Sequence, residues 1–166
     1  LLKADVRLID CGQVRFPPGE ETRLFLNESS LGFSAETGNN VNKASKRFGG
    51  KAAFFIGVLR TLSALRNPVL QVSVDGRPVY EGPTLLVTVA NGRYFGGSMM
   101  IAPMAVVDDG QFDIVVVTSM TRLRVLQKIS KIYRGEHLAE PEVKVFRGRE
   151  VHISAGDENV LLEMDG

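Results

Sequence analysis

The chain has 166 residues, 44% of them hydrophobic and 23% charged, enough for one domain that buries roughly two-thirds of its unfolded surface. Lys and Arg number 20 against 19 Asp and Glu, so the concentrated basic surplus typical of nucleic-acid binders is missing and no nucleic-acid partner is expected. The single cysteine, Cys11, can make no disulfide within the chain, no apolar run nears the ~20 residues of a membrane span, and the first residues lack the order of a signal peptide. A cytoplasmic setting is expected, with Cys11 in the core of a strand.

Taken in order, Val6 to Phe16 is apolar and β-branched enough for a strand that Pro17-Pro18-Gly19 ends. Thr22 to Asn27 reads as its partner, with Leu24 and Leu26 on one face. Glu28-Ser29-Ser30-Leu31-Gly32 is too polar and glycine-broken to continue the strand and reads as a loop. Ala35 to Lys46 reads as irregular or partly helical. From Lys51 to Leu65 the apolar residues Phe54, Phe55, Val58, Leu59, Leu62 and Leu65 recur at three and four residue spacings until Asn67-Pro68, which predicts a largely buried helix. Its surface is open to two readings, an acyl-chain groove or a helix packed on a sheet. The cluster Lys43, Lys46, Arg47 and Lys51 before it reads as a solvated face or a phosphate site.

Val69 to Val74 alternates apolar and polar residues, and Asp75-Gly76 is the pair that best accepts the positive φ angles of a tight hairpin, with Arg77 to Glu81 returning. Pro83 then opens Thr84 to Ala90, apolar on both faces and therefore central in its sheet. Between Ala90 and Val117 polar chemistry is packed tightly: Asn91-Gly92-Arg93-Tyr94-Phe95-Gly96-Gly97, a link through Pro103, the acidic turn Val106 to Asp113, and a strand over Phe112 to Val117. Thr121 to Arg134 has helical spacing, Thr121 as N-cap and Gly135 beyond its end. Arg122, Arg124, Lys128, Lys131 and Arg134 on its other face fit either a solvated surface or contact with anionic lipid. Val143 to Phe146, Glu150 to Ser154 and Val160 to Met164 read as three short strands. About nine strands and two helices predict a mainly β fold, an antiparallel β-sandwich with helices over an end or an edge.

Several chemistries have no footing here. His137 and His152 have no Cys or paired carboxylate at ligand spacing, and neither a Gly-x-Ser-x-Gly elbow nor a phosphate-cradling P-loop occurs. What remains is acidic: Asp108, Asp109, Asp113, Asp157 and Asp165. Asp109-Gly110 can be a plain turn, or a carboxylate with flanking carbonyl oxygens that suits a hard cation.

Asn27 with the Ser-Leu-Gly-Phe that follows, the Asn91 to Gly97 run, Ile101-Ala102-Pro103-Met104-Ala105, Asp109-Gly110-Gln111-Phe112-Asp113 and the final Met164-Asp165-Gly166 together resemble the C-terminal domain of the diacylglycerol kinase-like lipid kinases. The nearest likeness is to the bacterial soluble branch, related to sphingosine and ceramide kinases. The resemblance implies a two-domain enzyme whose active site lies between a nucleotide-binding domain with a Gly-Gly-Asp-Gly-Thr motif and a β-sandwich. That motif does not occur, so residues 1–166 are expected to be one β-sandwich substrate-side domain. The absent initiator Met and the ending at Asp165-Gly166 fit a piece excised from a longer protein.

The resemblance further implies Mg2+ held by Asp109 with the carbonyls of Val106 and Gln111, and ATP as co-substrate bound mainly by the other domain. It implies an Asp-Gly-Glu motif supplying the general base. Asp165-Gly166 matches its first two positions, the glutamate would come next, and Asp165 is the expected contact to the lipid hydroxyl. Asn27, Asn91, Gly96 and Gly97 are expected to shape the cleft. The implied partners are a lipid substrate at the membrane surface, to which the protein would be peripheral, and the nucleotide-binding domain of the same chain; homo-oligomer formation is left open. Two other readings stay in view, a non-catalytic lipid-binding or scaffold module and a kinase of a soluble hydroxylated substrate.

Overall fold

The computed structural model describes residues 6–16, 21–43, 50–156 and 159–165. A two-stranded hairpin comes first, β1 (Gly12–Phe16) pairing antiparallel with β2 (Glu21–Phe25). The Pro17-Pro18-Gly19 stop lies outside the described residues. The hairpin is shorter than its apolar content suggests because residues 6–11 run without strand pairing, and Leu24 and Leu26 are exposed. Cys11 is exposed as well, just ahead of β1, and is not the core residue expected.

The segment expected to be a polar loop is the strand β3 (Glu28–Gly32), buried at four of its five positions. It lies between two antiparallel partners, β5 (Arg77–Ala90) and β9 (Leu162–Met164), which satisfy its backbone on both edges. Tertiary pairing therefore overrides a composition that disfavours strands. Gly32 closes β3 with φ of +84°, and a Cβ there would stand 2.7 Å from the Leu85 carbonyl oxygen. The chain turns directly into helix α1 (Phe33–Lys43), more regular than expected, which packs against α2 (Gly50–Ser63). In α2 Val58 and Leu62 are buried while Ile56 and Leu59 face solvent, so the helix is less enclosed than its periodicity implies. The side chains of Phe54 and Phe55, and most of the preceding basic cluster, lie outside the described residues.

Strand β4 (Val69–Val74) and β5 form the expected hairpin, with Asp75 and Gly76 at φ of 49° and 75°. The two segments expected on either side of Pro83 are one strand of 14 residues. Its first half pairs with β4, its second with β3 and with β6 (Phe112–Thr118). After β6 come α3 (Arg122–Lys128), capped by Thr121, and two 3-10 segments, Ile129–Arg134 and Glu136–Ala139, with Gly135 left-handed between them. Among the described residues three α-helices thus stand where two were expected. Strands β7 (Val143–Gly148), on the far side of β6, and β8 (Val151–Ser154), on β4, complete the sandwich with β9.

The alternation of β5 and β6 divides the interior in two. Leu86, Ala90, Val115 and Val117 pack toward the helices with Phe33, Val58, Leu62 and Val125. Val87, Ile114 and Val116 pack the other way against Leu70, Val72 and Val74 of β4. The helices therefore cover a face of the sheet rather than its end. Glu28 and Ser30 lie on the helix-side face, because they pair with Ala90 and Thr88.

Gly32→Ala should lower stability by about 2 kcal/mol or more, from the left-handed backbone and the crowding against Leu85 together. Chemical denaturation checks this, and an unchanged midpoint would contradict the packing of β3 on β5.

Candidate functional site

Between α1, α2, the helix-side face of the sheet and the segment from α3 through the 3-10 turns lies a cavity of about 1010 Å3. Phe33, Val58, Leu86, Val117, Val125 and Ile132, one or more from each of these elements, give it a mostly apolar wall. An apolar space of this size lined by few polar groups is the common form of a small-molecule site.

The polar groups on the wall are specific. Glu28 is 1% exposed and its Oε2 has no hydrogen-bond partner. Glu163 pairs with Ser30 across the β3–β9 register and accepts a hydrogen bond from its hydroxyl at 3.0 Å. Burial pushes the Glu28 carboxyl up to about 7; the Ser30 hydroxyl offsets part of that, and the negative charges of Glu163 and Asp165 add to it. Burial also raises Glu163. Two more wall atoms, Ser34 Oγ and His137 Nδ1, are buried without a partner. His137 Nε2 stands 3.0 Å from the Ile101 carbonyl. A carbonyl only accepts, so Nε2 carries the proton and Nδ1 is an acceptor; burial holds the ring below its ordinary pKa, in the neutral form. Farther along the wall, Glu140 is held down at about 2 by hydrogen bonds from Lys128 and Lys131.

Beside Glu28 the chain is tied into a knot that gathers three of the expected site residues. Asp165 accepts from three backbone N–H groups, Leu26 at 2.9 Å, Asn27 at 2.8 Å and Glu28 at 3.1 Å. Burial alone would raise its pKa, but those three donors outweigh it and leave the carboxyl below its usual range. The Asn27 carbonyl accepts from Asn91 and Gly92, and its amide donates to the Tyr94 carbonyl. Asn91, fully buried, donates from Nδ2 to the carbonyls of Asp10 and Leu26. Gly96 and Gly97 stand apart from the knot, in the turn closed by the Phe95–Met99 bridge, where they line the cavity.

Val106, Asp109 and Gln111 form a separate turn. It is strapped by an element not foreseen in the sequence: Asp10 donates its N–H to Val107 and accepts from Gly110 at 2.6 Å, while Arg7 pairs with Asp108. Asp109 Oδ1 accepts from the Gln111 N–H at 3.0 Å, and Oδ2 takes the Arg147 guanidinium at 2.5 Å. Arg147 also stands 3.6 Å from Asp113. Among the described residues no three His, Cys, Asp or Glu side chains cluster to hold a metal. These donors do not fit a magnesium ion as they stand, since it would have to displace a guanidinium from the one carboxylate offered.

Sequence patterning missed Glu28, Glu163 and Ser30 because they sit in the stretch taken for a loop and in a three-residue strand. The available signal was Glu28 directly after Asn27, in a segment short enough to be a buried strand.

Comparison with known proteins places this geometry. Residues 27–166 match the model of the YegS C-terminal NAD kinase beta sandwich-like domain. The chain belongs to that family. A diacylglycerol kinase of Mycobacterium tuberculosis (strain CDC 1551 / Oshkosh) is 28% identical over 157 residues, covering 95% of this chain and 50% of the relative. One from Staphylococcus carnosus (strain TM300) is 27% identical over 167 residues, covering 100% and 54%. A crystal structure of a candidate diacylglycerol kinase from Bacillus anthracis str. Sterne superposes with a TM-score of 0.57 at 26% identity, covering 86% of this chain and 46% of that one. The chain thus spans about half the length of the relatives it matches. The beta sandwich-like description agrees with the antiparallel layers seen here, and the relatives mark a lipid kinase family.

Two outcomes follow. Asp165→Asn should cost about 1–2 kcal/mol, because an amide replaces a charged acceptor shared by three backbone donors; a denaturation midpoint equal to wild type would show that the knot holds without it. Glu28→Gln tests the buried carboxyl. A folded-state pKa above the unfolded one means wild type loses stability as pH climbs from the usual glutamate value toward about 7. The variant should match wild type near pH 4 and exceed it by up to about 3 kcal/mol near pH 8, and a flat difference across that window would refute the assignment.

Proposed function

We propose that this chain is the substrate-side half of an ATP-dependent lipid kinase, which transfers the γ-phosphoryl group to the hydroxyl of a lipid such as diacylglycerol. The observation that carries the reading is the cavity of about 1010 Å3, apolar along its wall and acidic beside the Asp165 knot, in a domain whose relatives are named diacylglycerol kinases. An acyl chain occupies the apolar part and leaves its polar end near Glu28 and Glu163. ATP with its magnesium supplies the phosphoryl group and is bound mainly by a nucleotide-binding domain of the kind that completes the family's two-domain enzymes.

A lipid hydroxyl is a poor nucleophile at neutral pH, so a carboxylate must accept its proton as the phosphoryl group transfers. Asp165 serves this reaction by position. Its oxygens are occupied by the N–H groups of Leu26, Asn27 and Glu28, and a pKa below the usual range makes it a weak base. It fixes the corner from which Glu28 enters the cavity. Asn27 and Asn91 stiffen the same corner, and Gly96 and Gly97 leave the cavity edge low.

The substrate is drawn from a bilayer surface. Among the described residues no helix is long and apolar enough to cross a membrane. The wall segment presents Leu123, Leu126 and Tyr133 to solvent at 65%, 46% and 44% exposure, and Leu126 and Tyr133 also line the cavity. Arg124, Lys128, Lys131 and Arg134 on this segment are already paired with Glu142, Glu140 and Glu136, so apolar insertion supplies more of the contact than charge does.

The test is phosphoryl transfer by the full-length protein from ATP to diacylglycerol in vesicles, followed by lipid extraction. Labelled lipid phosphate is expected. Val117→Phe, which fills the cavity from its sheet side, should cut kcat/KM for long-chain diacylglycerol about tenfold while sparing a short-chain one. Transfer only to water-soluble alcohols, or binding of lipid with no transfer, would reject the reading.

A further inference from the structure

The relatives' names point to neutral diacylglycerols, but the wall of this cavity is not neutral. Glu28, buried, and Glu163, half-buried, both face it, and the charged groups that act on Glu28 are themselves acids, Glu163 and Asp165. Among the described residues Lys128 is the one cation on the wall, and it is committed to Glu140 at 2.8 Å, a carboxylate that also takes Lys131. His137, also on the wall, is held neutral and offers an acceptor. The acceptors Glu28 Oε2 and His137 Nδ1, together with the hydroxyl Ser34 Oγ, lack any hydrogen-bond partner. Glu28 is 1% exposed, so water outside the cavity cannot solvate it. A buried acceptor left unpaired costs stability, and an unpaired carboxylate costs more. Chemistry that resolves all of this at once is a hydrogen-bond-donating cation attached to an apolar chain.

We infer that the cavity selects long-chain amphiphiles bearing an ammonium group, and that the free Oε2 of Glu28, backed by Glu163, binds that group while the chain lies along the apolar wall. This rests on the reading of the cavity as a lipid site and narrows it: an amino-alcohol lipid satisfies the acidic end and still brings a hydroxyl for phosphorylation, whereas diacylglycerol brings the hydroxyl alone. The ammonium donates to carboxylate oxygens in charge-assisted hydrogen bonds, about twice as strong as their neutral counterparts. Glu28 is then a specificity residue, and its role differs from that of Asp165, whose oxygens accept from three backbone N–H groups.

The experiment compares binding of hexadecylamine and hexadecanol to the full-length protein, each carried in neutral phosphatidylcholine vesicles, by displacement of a fluorescent long-chain probe. The amine should bind at least about tenfold more tightly than the alcohol in the wild-type protein. Glu28→Gln should bring the two within about twofold of each other by weakening the amine, and Glu163→Gln should narrow the preference by a smaller factor. Gln keeps the shape of the neutral acid, and an unchanged circular dichroism spectrum reports that the variant is folded. Equal binding of amine and alcohol in wild type, or a preference that survives Glu28→Gln, would overturn the inference and leave the lipid site standing. Failure of both probes to bind would overturn the lipid site itself and this inference with it. Should Glu28→Gln fail to fold, the wild-type preference and the Glu163→Gln result decide the matter.

Discussion

Strand β5 is the member on which both cores hang. Its first half is paired to β4 and its second half to β3 and β6, so one unbroken run of backbone belongs to two layers. The switch falls at Gly82 and Pro83, where a φ of 150° and a missing N–H relax the demand for regular pairing. Because side chains alternate with period two, a slip by one residue would carry Leu86 and Ala90 into the sandwich and Val87 to the helices. The cavity wall, the polar knot and the hairpin at Asp75-Gly76 all take their positions from this one register.

The second constraint is the polar strand β3. A run containing Glu28, Ser29 and Ser30 is expensive to bury, and the fold meets most of that demand within reach: backbone pairing on two edges, Ser30 to Glu163, Ser29 to the Glu163 carbonyl, and the Asp165 clamp on the N–H groups at its start. What it does not meet internally is turned toward the cavity. Placing the deficit there makes an empty cavity poorly satisfied and a filled one well satisfied, which ties the strength of this corner of the fold to occupancy. A stability–function trade-off of this kind is usual where a site is built from buried polar groups.

Much of the architecture was legible because its signals are local. Asp75-Gly76 specified a hairpin through positive φ, Thr121 marked where helical structure begins, Gly135 marked a left-handed break within it, and the alternation of Val69 to Val74 specified a half-buried strand. The site was legible in part. Asn27, Asn91 and Asp165 are drawn into one knot, where hydrogen bonds spanning well over a hundred residues make Asp165 an acceptor for backbone N–H groups. Glu28 escaped because local composition argued for a loop, and only pairing with β5 and β9 makes a strand of it. The same holds for Arg147 on Asp109 and for Asp10 on Gly110, contacts between segments whose separation leaves no trace in spacing. Cys11 misled in the opposite sense: its type favours the interior, but its side chain is exposed ahead of β1.

The segment that walls the cavity opposite the sheet is held unlike the rest. In α3 Val125 is the buried residue, and the Ile129–Arg134 turn that continues it has none. Its hydrogen bonds are of the 3-10 kind, which are less well aligned than those of an α-helix. The strands opposite are fixed by register on both sides, so thermal opening concentrates in this wall, where few contacts must break at once. Loosening of this one short stretch opens the cavity sideways while the sandwich stays shut. The cavity then opens on the clock of local loosening and not on that of global unfolding.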